Sequence, residues 1–119
     1  ASYHFGLADC YHSLADLLRS LGRRTDAEKT SRLGLVVTER LVTEYPRPPE
    51  FRSALVKSRD QLGLVLGDLG RWSEAEEQQR LGITLSTQLV AEFPDVPRYR
   101  EHHAVHCRNF GVTLTQRNN

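Results

Sequence analysis

The residues best suited to chemistry are three histidines and a cysteine near the C-terminus. His102 and His106 are four positions apart, as are His103 and Cys107, so each pair lies on one side of a helix. Imidazole nitrogens and thiolates are ligands that Zn²⁺ prefers, and either pair could hold one ion from a helical face. A closed site needs about four ligands, and the remaining histidines lie at the other end of the chain. We therefore expect solvated side chains and no metal or other cofactor, with metal binding as the alternative.

No other residue pattern indicates catalysis. The sequence has no glycine-rich phosphate loop, no nucleophile elbow and no histidine pair with a glutamate base. Acidic pairs such as Glu76-Glu77 fall on the solvent side of a predicted helix. We therefore predict that the protein is not an enzyme.

The composition argues against two classes of partner. Lysine and arginine number 16, and aspartate and glutamate number 15, so a net charge of +1 provides no broad basic field for nucleic acid. The longest apolar run is far shorter than the roughly 20 residues of a membrane span. Cys10 and Cys107 belong to helices two repeats apart, about 20 Å at ordinary helix spacing, whereas a disulfide needs Cα atoms within about 7 Å. We expect free thiols, which favours a reducing compartment such as the cytoplasm.

The elements that carry these residues are set by an internal repeat of 48 residues. Segments 14–61 and 62–109 align without a gap and are identical at sixteen positions. Residues 1–13 match the end of an earlier unit, and residues 110–119 match the start of a third. Self-similarity at a fixed period indicates a stacked array, so we predict one repeat domain over residues 1–119.

Apolar spacing within each unit predicts a helix with one buried stripe. Apolar residues alternate in steps of four and three, which places them on one side of a helix, and the same spacing recurs one period later. The stripe that we expect to be buried comprises Tyr3, Leu7, Cys10, Leu14, Leu17 and Leu21 in the first copy, and Phe51, Leu55, Ser58, Leu62, Val65 and Leu69 in the second.

Glycine and capping residues mark the turn inside each unit. Gly22 and Gly70 can adopt the left-handed conformation that closes a helix. Thr25-x-x-Glu28 and Ser73-x-x-Glu76 read as capping boxes that open the next helix.

Prolines mark the connection between units. Pro46 and Pro94 end the second helices, and Pro49 and Pro97 suit the first turn of the next helix. Short connections make neighbouring helices antiparallel, so we predict an all-α solenoid of helix pairs. The five predicted helices are 3–21, 25–45, 50–69, 73–93 and 98–116.

These residues resemble the tetratricopeptide repeat pattern across essentially the whole chain. The matching positions are Leu14-Ala15, Leu18, Gly22, Ala27 and Gly34 in one unit, and Leu62-Gly63, Leu66, Gly70, Ala75 and Gly82 in the next. The usual period is 34 residues, so the chain resembles a variant with longer helices. The aromatic residue usual in the first helix appears as Tyr11, but Arg59 and Cys107 replace it later. The Leu-Gly-Arg and Glu-Tyr-Pro or Glu-Phe-Pro phrases also resemble arrays found after bacterial serine/threonine kinase domains.

The resemblance implies a right-handed superhelix whose first helices line a concave groove that binds a peptide or a partner protein. The residues that should face this groove are Asp9, His12, Asp16, Arg19, Lys57, Asp60, Leu64, Asp68, Val105, Arg108 and Val112. The acidic residues Asp9, Asp16 and Asp60 would repel the C-terminal carboxylate that some family members bind. We expect instead a peptide with basic side chains near Asp9 and Asp16 and an apolar part near Val105 and Val112. The alternative is that these residues are only solvated helix faces.

The last helix differs from the other copies in the polarity of its stripe. Four of its six stripe positions are polar where the other copies are apolar or small; the stripe reads Tyr99, His103, His106, Phe110, Thr113 and Arg117. A buried helix does not tolerate unpaired polar groups cheaply. We interpret helix 98–116 as a solubilising cap that covers the preceding helix pair; the alternative is a piece of a longer array, in which a further partner helix matches these polar residues.

Two hypotheses about function remain open. The first is a non-catalytic adaptor that binds a peptide or protein in the groove. The second is self-assembly, because a first-type helix at each end without a flanking pair could stack on another copy into dimers or filaments. Tyr3 and Phe5 near the first end favour self-assembly, and the polar stripe of the last helix counts against it.

Overall fold

The computed structural model describes all residues 1–119 and contains five helices and no strand. They are α1 Ser2–Ser20, α2 Arg24–Glu44, α3 Pro49–Asp68, α4 Trp72–Glu92 and α5 Pro97–Arg117. The predicted all-α class and number of helices are confirmed, and every predicted helix end lies within one residue of the observed one. None of the helices has the combination of length and apolar character that a membrane span requires.

The helices pack in sequential antiparallel pairs, with α3 at the centre. Each helix packs mainly on its neighbours in sequence, and α3 also touches α1 and α5. The main apolar cluster joins α2, α3 and α4 and comprises Leu35, Leu55, Leu62, Leu66 and Ala75. The first helices α1, α3 and α5 therefore lie side by side, in an array 38 × 28 × 20 Å in extent.

Residues one period apart occupy equivalent backbone positions. Gly22 and Gly70 both have positive φ, 75° and 74°, and close the first helix of each unit as the sequence predicts. The amide of the next residue donates back across this turn at 2.9 Å in both units. At the other end of the unit, the ring centroids of Tyr45 and Phe51 are 6.0 Å apart, as are those of Phe93 and Tyr99 one period later.

The predicted capping boxes are wrong. The second helices start earlier than their threonine or serine, with Arg23 and Arg71 at the N-cap positions and no side-chain capping hydrogen bond. Thr25 thus lies inside the first turn, where its hydroxyl is not placed to cap it. Glu28 instead binds Arg32 and Arg71, each at 2.9 Å. The two prolines predicted for first turns, Pro49 and Pro97, do lie there.

The predicted buried stripe of α1 is wrong, although the equivalent stripe of α3 is covered. Leu17 is 55% exposed, whereas Val65, one period later, is fully buried. The reason is that the stripe of α3 packs on α2, whereas no helix occupies the corresponding place beside α1. The residues that α1 buries are instead Ala8, His12, Ala15 and Leu18.

The polar stripe of α5 faces the preceding helices, so its interpretation as a solubilising surface is wrong. Tyr99, His106 and Thr113 are buried. Nδ1 of His103 lies 2.5 Å from the hydroxyl oxygen of Ser86 on α4. Two further polar groups of α5 have partners on the preceding helices: Arg117 donates to Glu76, and Asn109 donates to Asp60. These polar groups are tolerated because α3 and α4 supply polar partners for them, whereas Nδ1 of His106 is buried without a hydrogen bond.

Candidate functional site

The largest cavity lies between the first helices of the three units, and we call it the central groove. Its volume is about 490 Å³, and its residues come from α1, α3 and α5. The lining residues are Phe5, Asp9, His12, Asp16, Glu50, Ser53, Ala54, Lys57, Asp60, Gln61, Leu64, His102, Val105, His106 and Asn109.

Seven of the eleven residues that the sequence suggested for a groove line it, and four do not. The seven are Asp9, His12, Asp16, Lys57, Asp60, Leu64 and Val105. Arg19 and Asp68 form a salt bridge of 2.6 Å between α1 and α3 beside a separate, smaller cavity. Arg108 and Val112 are exposed on α5 and line none of the larger cavities.

Sequence reasoning missed eight lining residues, and six of them form pairs one period apart. These pairs are Phe5 with Ser53, Ala54 with His102, and Gln61 with Asn109. The repeat relates the two members of each pair, but it could have supplied one member only after the other was known, and the sequence had suggested neither. Only Glu50 and His106 lack an equivalent in the groove.

The groove carries an excess of negative charge. Its lining includes four carboxylates, on Asp9, Asp16, Glu50 and Asp60, and one ammonium group, on Lys57. The three exposed carboxylates form no salt bridge. Because the whole chain has a net charge of +1, this acidity is a local property of the groove.

Asp60 lies at the floor of the groove and is only 7% exposed. Its Oδ2 accepts a hydrogen bond of 2.8 Å from Nδ2 of Asn109. Nδ1 of His106 is 3.1 Å from the same oxygen but does not make a hydrogen bond there. The other oxygen, Oδ1, is buried and has no hydrogen-bond partner.

Gln61 links the floor to α1. Its amide nitrogen donates to the carbonyl oxygen of His12 at 2.7 Å and to Oδ1 of Asp16 at 2.8 Å. Its amide oxygen is buried and unpartnered. Gln61 and Asn109 are one period apart, and each donates to the equivalent residue of the preceding first helix, Gln61 to the backbone of His12 and Asn109 to the side chain of Asp60.

His12 is a buried neutral group in the wall of the groove. Its Nε2 lies 2.6 Å from the hydroxyl of Ser58, which also accepts a hydrogen bond of 3.0 Å from Thr38. Burial, reinforced by the nearby positive charge of Lys57, lowers the pKa of His12 to about 4 despite opposing contributions from Asp9 and Asp16. The pKa of His102 is lowered as well, chiefly by burial. His12 therefore packs in the wall as an uncharged residue near neutral pH.

His103 on α5 contacts two neighbouring side chains. Nε2 of His103 lies 3.6 Å from the sulfur of Cys107, and its Nδ1 contacts Ser86. No three histidine, cysteine, aspartate or glutamate side chains come together in an arrangement that could hold a metal ion. Cys10 and Cys107 are free and exposed, as the spacing of their helices predicted.

The stacked helix pairs and the groove between their first helices define an α-helical repeat protein. Comparison with family models finds the tetratricopeptide repeat at residues 7–42 and 55–95, two spans that begin 48 residues apart. These spans cover more than half of the chain, which therefore belongs to the tetratricopeptide repeat family. Domains of this family are generally protein–protein interaction modules and are typically non-catalytic. Comparisons with curated proteins and with solved structures give no match.

Proposed function

We propose that this chain is a non-catalytic adaptor that binds a peptide or a segment of a partner protein in the central groove. The observation that carries the proposal is the groove itself, about 490 Å³ in volume and lined by all three first helices. This volume lies within the range of about 300–1,000 Å³ that is common for pockets that bind small molecules. The membership in a family of interaction modules supports the same assignment.

The lining of the groove favours a peptide that combines apolar and basic side chains. Phe5, Leu64 and Val105 provide apolar surface within it. Asp9 and Asp16 supply carboxylates without basic partners at the α1 side. A peptide whose basic residues lie against α1 and whose apolar residues lie against Val105 matches both properties.

The repeat phrase supports a role within a regulatory protein. The long 48-residue unit and its Leu-Gly-Arg phrase resemble arrays found after bacterial serine/threonine kinase domains. On this proposal the chain is an accessory region of a long-helix tetratricopeptide array that brings a partner to such a protein.

Panning of a random peptide library displayed on phage tests the adaptor proposal without assuming the chemistry of the ligand. The immobilised protein is the full chain, and enriched peptides are then synthesised and titrated. Val105→Arg is the groove variant, because Val105 lines the groove and is 40% exposed, so a larger side chain there occupies the groove without disturbing the core.

Val112→Arg is the matched control for this experiment. Val112 lies on the same helix, is 47% exposed and does not line the groove, and both variants change the net charge equally. We expect enriched peptides that lose at least about tenfold in affinity for Val105→Arg and keep their affinity for Val112→Arg. If no peptides are enriched, or if all of them bind both variants equally, the groove is not the binding site.

A second candidate function is end-to-end self-assembly, and the exposed stripe of α1 favours it. Tyr3, Leu14, Leu17 and Leu21 form an apolar surface on α1 that in α3 is covered by the preceding helix. A second copy that stacks on this surface would bury it in the same way.

Light scattering over a concentration series tests self-assembly. A mass that grows with concentration in wild type and stays monomeric in Leu17→Glu supports stacking through α1. A wild-type chain that stays monomeric at millimolar concentration excludes this function and leaves the adaptor proposal unaffected.

A further inference from the structure

We propose that the floor of the central groove at Asp60 is a subsite for an arginine side chain of the bound peptide. This inference rests on the proposed peptide-binding function and adds the chemistry of one recognised residue.

The first observation is a buried carboxylate that the fold leaves half satisfied. Asp60 is 7% exposed, and only its Oδ2 has a hydrogen-bond donor, Nδ2 of Asn109. Its Oδ1 is buried without a partner. A buried carboxylate is costly unless donors or an opposite charge compensate for the lost water. The missing component at this position is therefore a cationic hydrogen-bond donor.

The second observation is a neighbouring acceptor in the same state. Gln61 is 5% exposed, and its amide orientation is fixed because Nε2 donates to both His12 and Asp16. This orientation leaves Oε1 buried and unpartnered. The floor thus holds two unpartnered acceptors on adjacent residues, and the imidazole beside them, with Nδ1 of His106 at 3.1 Å from Oδ2, makes no hydrogen bond to Asp60.

These acceptors select a guanidinium group among the side chains of a peptide. A guanidinium has five N–H donors in a planar fork and no acceptor, so one group can donate to a carboxylate and to an amide oxygen together. An ammonium group is a point charge whose stronger hydration makes its burial more costly. The exposed carboxylate of Asp16 accepts a hydrogen bond of 2.8 Å from Gln61 and adds a further negative charge beside the floor.

The surrounding wall is consistent with the stem of an arginine side chain. Ala54, Leu64 and Val105 line the groove together with Asp60, and the methylene groups of arginine pack on such apolar surface while the head is bound. Lys57 is the only ammonium group in the lining, against four carboxylates. One added cation therefore reduces the charge imbalance of the groove.

Binding of defined peptides tests the subsite. The probes are the acetylated and amidated pentapeptide Leu-Gly-Arg-Gly-Leu and the same peptide with citrulline or lysine in place of arginine. Citrulline keeps the shape of arginine but removes its charge. Affinities for the full chain are measured by NMR titration at pH 7.5 and 150 mM NaCl. The variants are Asp60→Asn, Asp16→Asn and Asp95→Asn, the last an exposed acid outside the groove.

The expected result is a preference of wild type for arginine over citrulline of at least about tenfold, with lysine between them. Asp60→Asn should abolish most of this preference, Asp16→Asn should reduce it, and Asp95→Asn should retain it. Asp16 is exposed, and asparagine keeps an amide oxygen that can accept the hydrogen bond from Gln61, so this variant tests the charge if Asp60→Asn fails to fold.

The inference is overturned if wild type binds the arginine and citrulline peptides equally, or if it binds neither at several millimolar. It is also overturned if Asp60→Asn folds and keeps the preference. Peptide panning separates this failure from that of the proposed function. Enriched peptides that depend on the groove but lack arginine refute the subsite and leave the adaptor function intact, whereas panning without any groove-dependent peptide refutes the adaptor function.

Discussion

Gly63→Ala is the substitution whose effect on stability depends most directly on helix packing. A Cβ atom at this position of α3 would lie 2.5 Å from Cγ of Gln79 and 3.1 Å from the carbonyl oxygen of Ala75, both on α4. The first contact is closer than real Cβ atoms make, and Gln79 is buried, so it cannot swing into solvent. The substitution therefore forces α3 and α4 apart or moves a packed side chain.

The net effect is the difference between two terms. Alanine gains about 1 kcal/mol over glycine inside a helix. Overpacking of a core costs about 1–3 kcal/mol. We expect Gly63→Ala to lower the free energy of unfolding by about 1 kcal/mol.

Gly111→Ala is the matched control, because Gly111 occupies the equivalent position of α5 one period later. A Cβ atom there has no neighbour within 4 Å, so only the helix-propensity term remains. We expect this variant to raise the free energy of unfolding by about 0.5–1 kcal/mol. The two glycine-to-alanine substitutions should thus change the free energy of unfolding in opposite directions.

The repeat also supplies a compensating change. One period earlier, the residues equivalent to Gly63 and Gln79 are Ala15 and Ser31, a larger residue on the first helix and a smaller one on the second. Gly63→Ala combined with Gln79→Ser should therefore recover stability relative to Gly63→Ala alone, which a double-mutant cycle measures.

The assay is urea unfolding at 25 °C followed by circular dichroism, with the free energy taken by linear extrapolation. Stabilisation of Gly63→Ala by the same amount as Gly111→Ala would refute the reasoning, because it would mean that α3 and α4 are not in close contact at this residue. Strictly additive effects in the cycle would refute the compensation.

Three further measurements test the groove wall and the helix contacts. Burial lowers the pKa of His12 from 6.5 to about 4. Between these pH values His12 therefore binds a proton in the unfolded chain but not in the folded chain. The free energy of unfolding should fall by up to about 3 kcal/mol as the pH drops from 6.5 to about 4. In His12→Gln, measured at pH 7.5, 5.5 and 4.5, the free energy of unfolding should fall less with decreasing pH than in wild type. The same pH dependence in both proteins would contradict the buried, uncharged state of His12. Gln79→Met should raise the free energy of unfolding by about 1 kcal/mol, since both amide atoms of Gln79 are buried without partners, and a thermal melt that shows destabilisation would argue against this. Asp68→Asn, which removes the partly exposed ion pair with Arg19, should cost less than about 1 kcal/mol, and a cost that persists in 1 M NaCl would speak against an electrostatic origin.

The sequence predicted the helices well because their signals are local. Gly22 and Gly70 end helices through backbone conformation, and Pro49 and Pro97 start them through a fixed φ. Such effects depend on a few adjacent residues. The capping boxes failed because the second helices begin one residue before Thr25 and Ser73, and because Glu28 binds Arg71, a residue far away in the sequence.

The groove could be predicted in part. Asp9 and Asp16 were placed in it from helical periodicity and the family resemblance, and both line the cavity. Gln61 and Asn109 were missed because an amide carries no charge or catalytic chemistry that marks it in a sequence. Their importance comes from their reach to the neighbouring first helix, which only the packed array shows.

The sequence by itself determined that this chain is an array of antiparallel helix pairs in the tetratricopeptide repeat family, since period, turn residues and apolar spacing are properties of the chain. Only the tertiary structure decided which faces are covered. Leu17 and Val65 have the same place in the repeat, yet one is exposed and the other buried. Likewise, the polar stripe of α5 is buried against Ser86 and Asp60. Periodicity fixes the direction of a side chain around its helix. Burial depends on whether another helix lies in that direction and on whether that helix supplies partners for polar side chains.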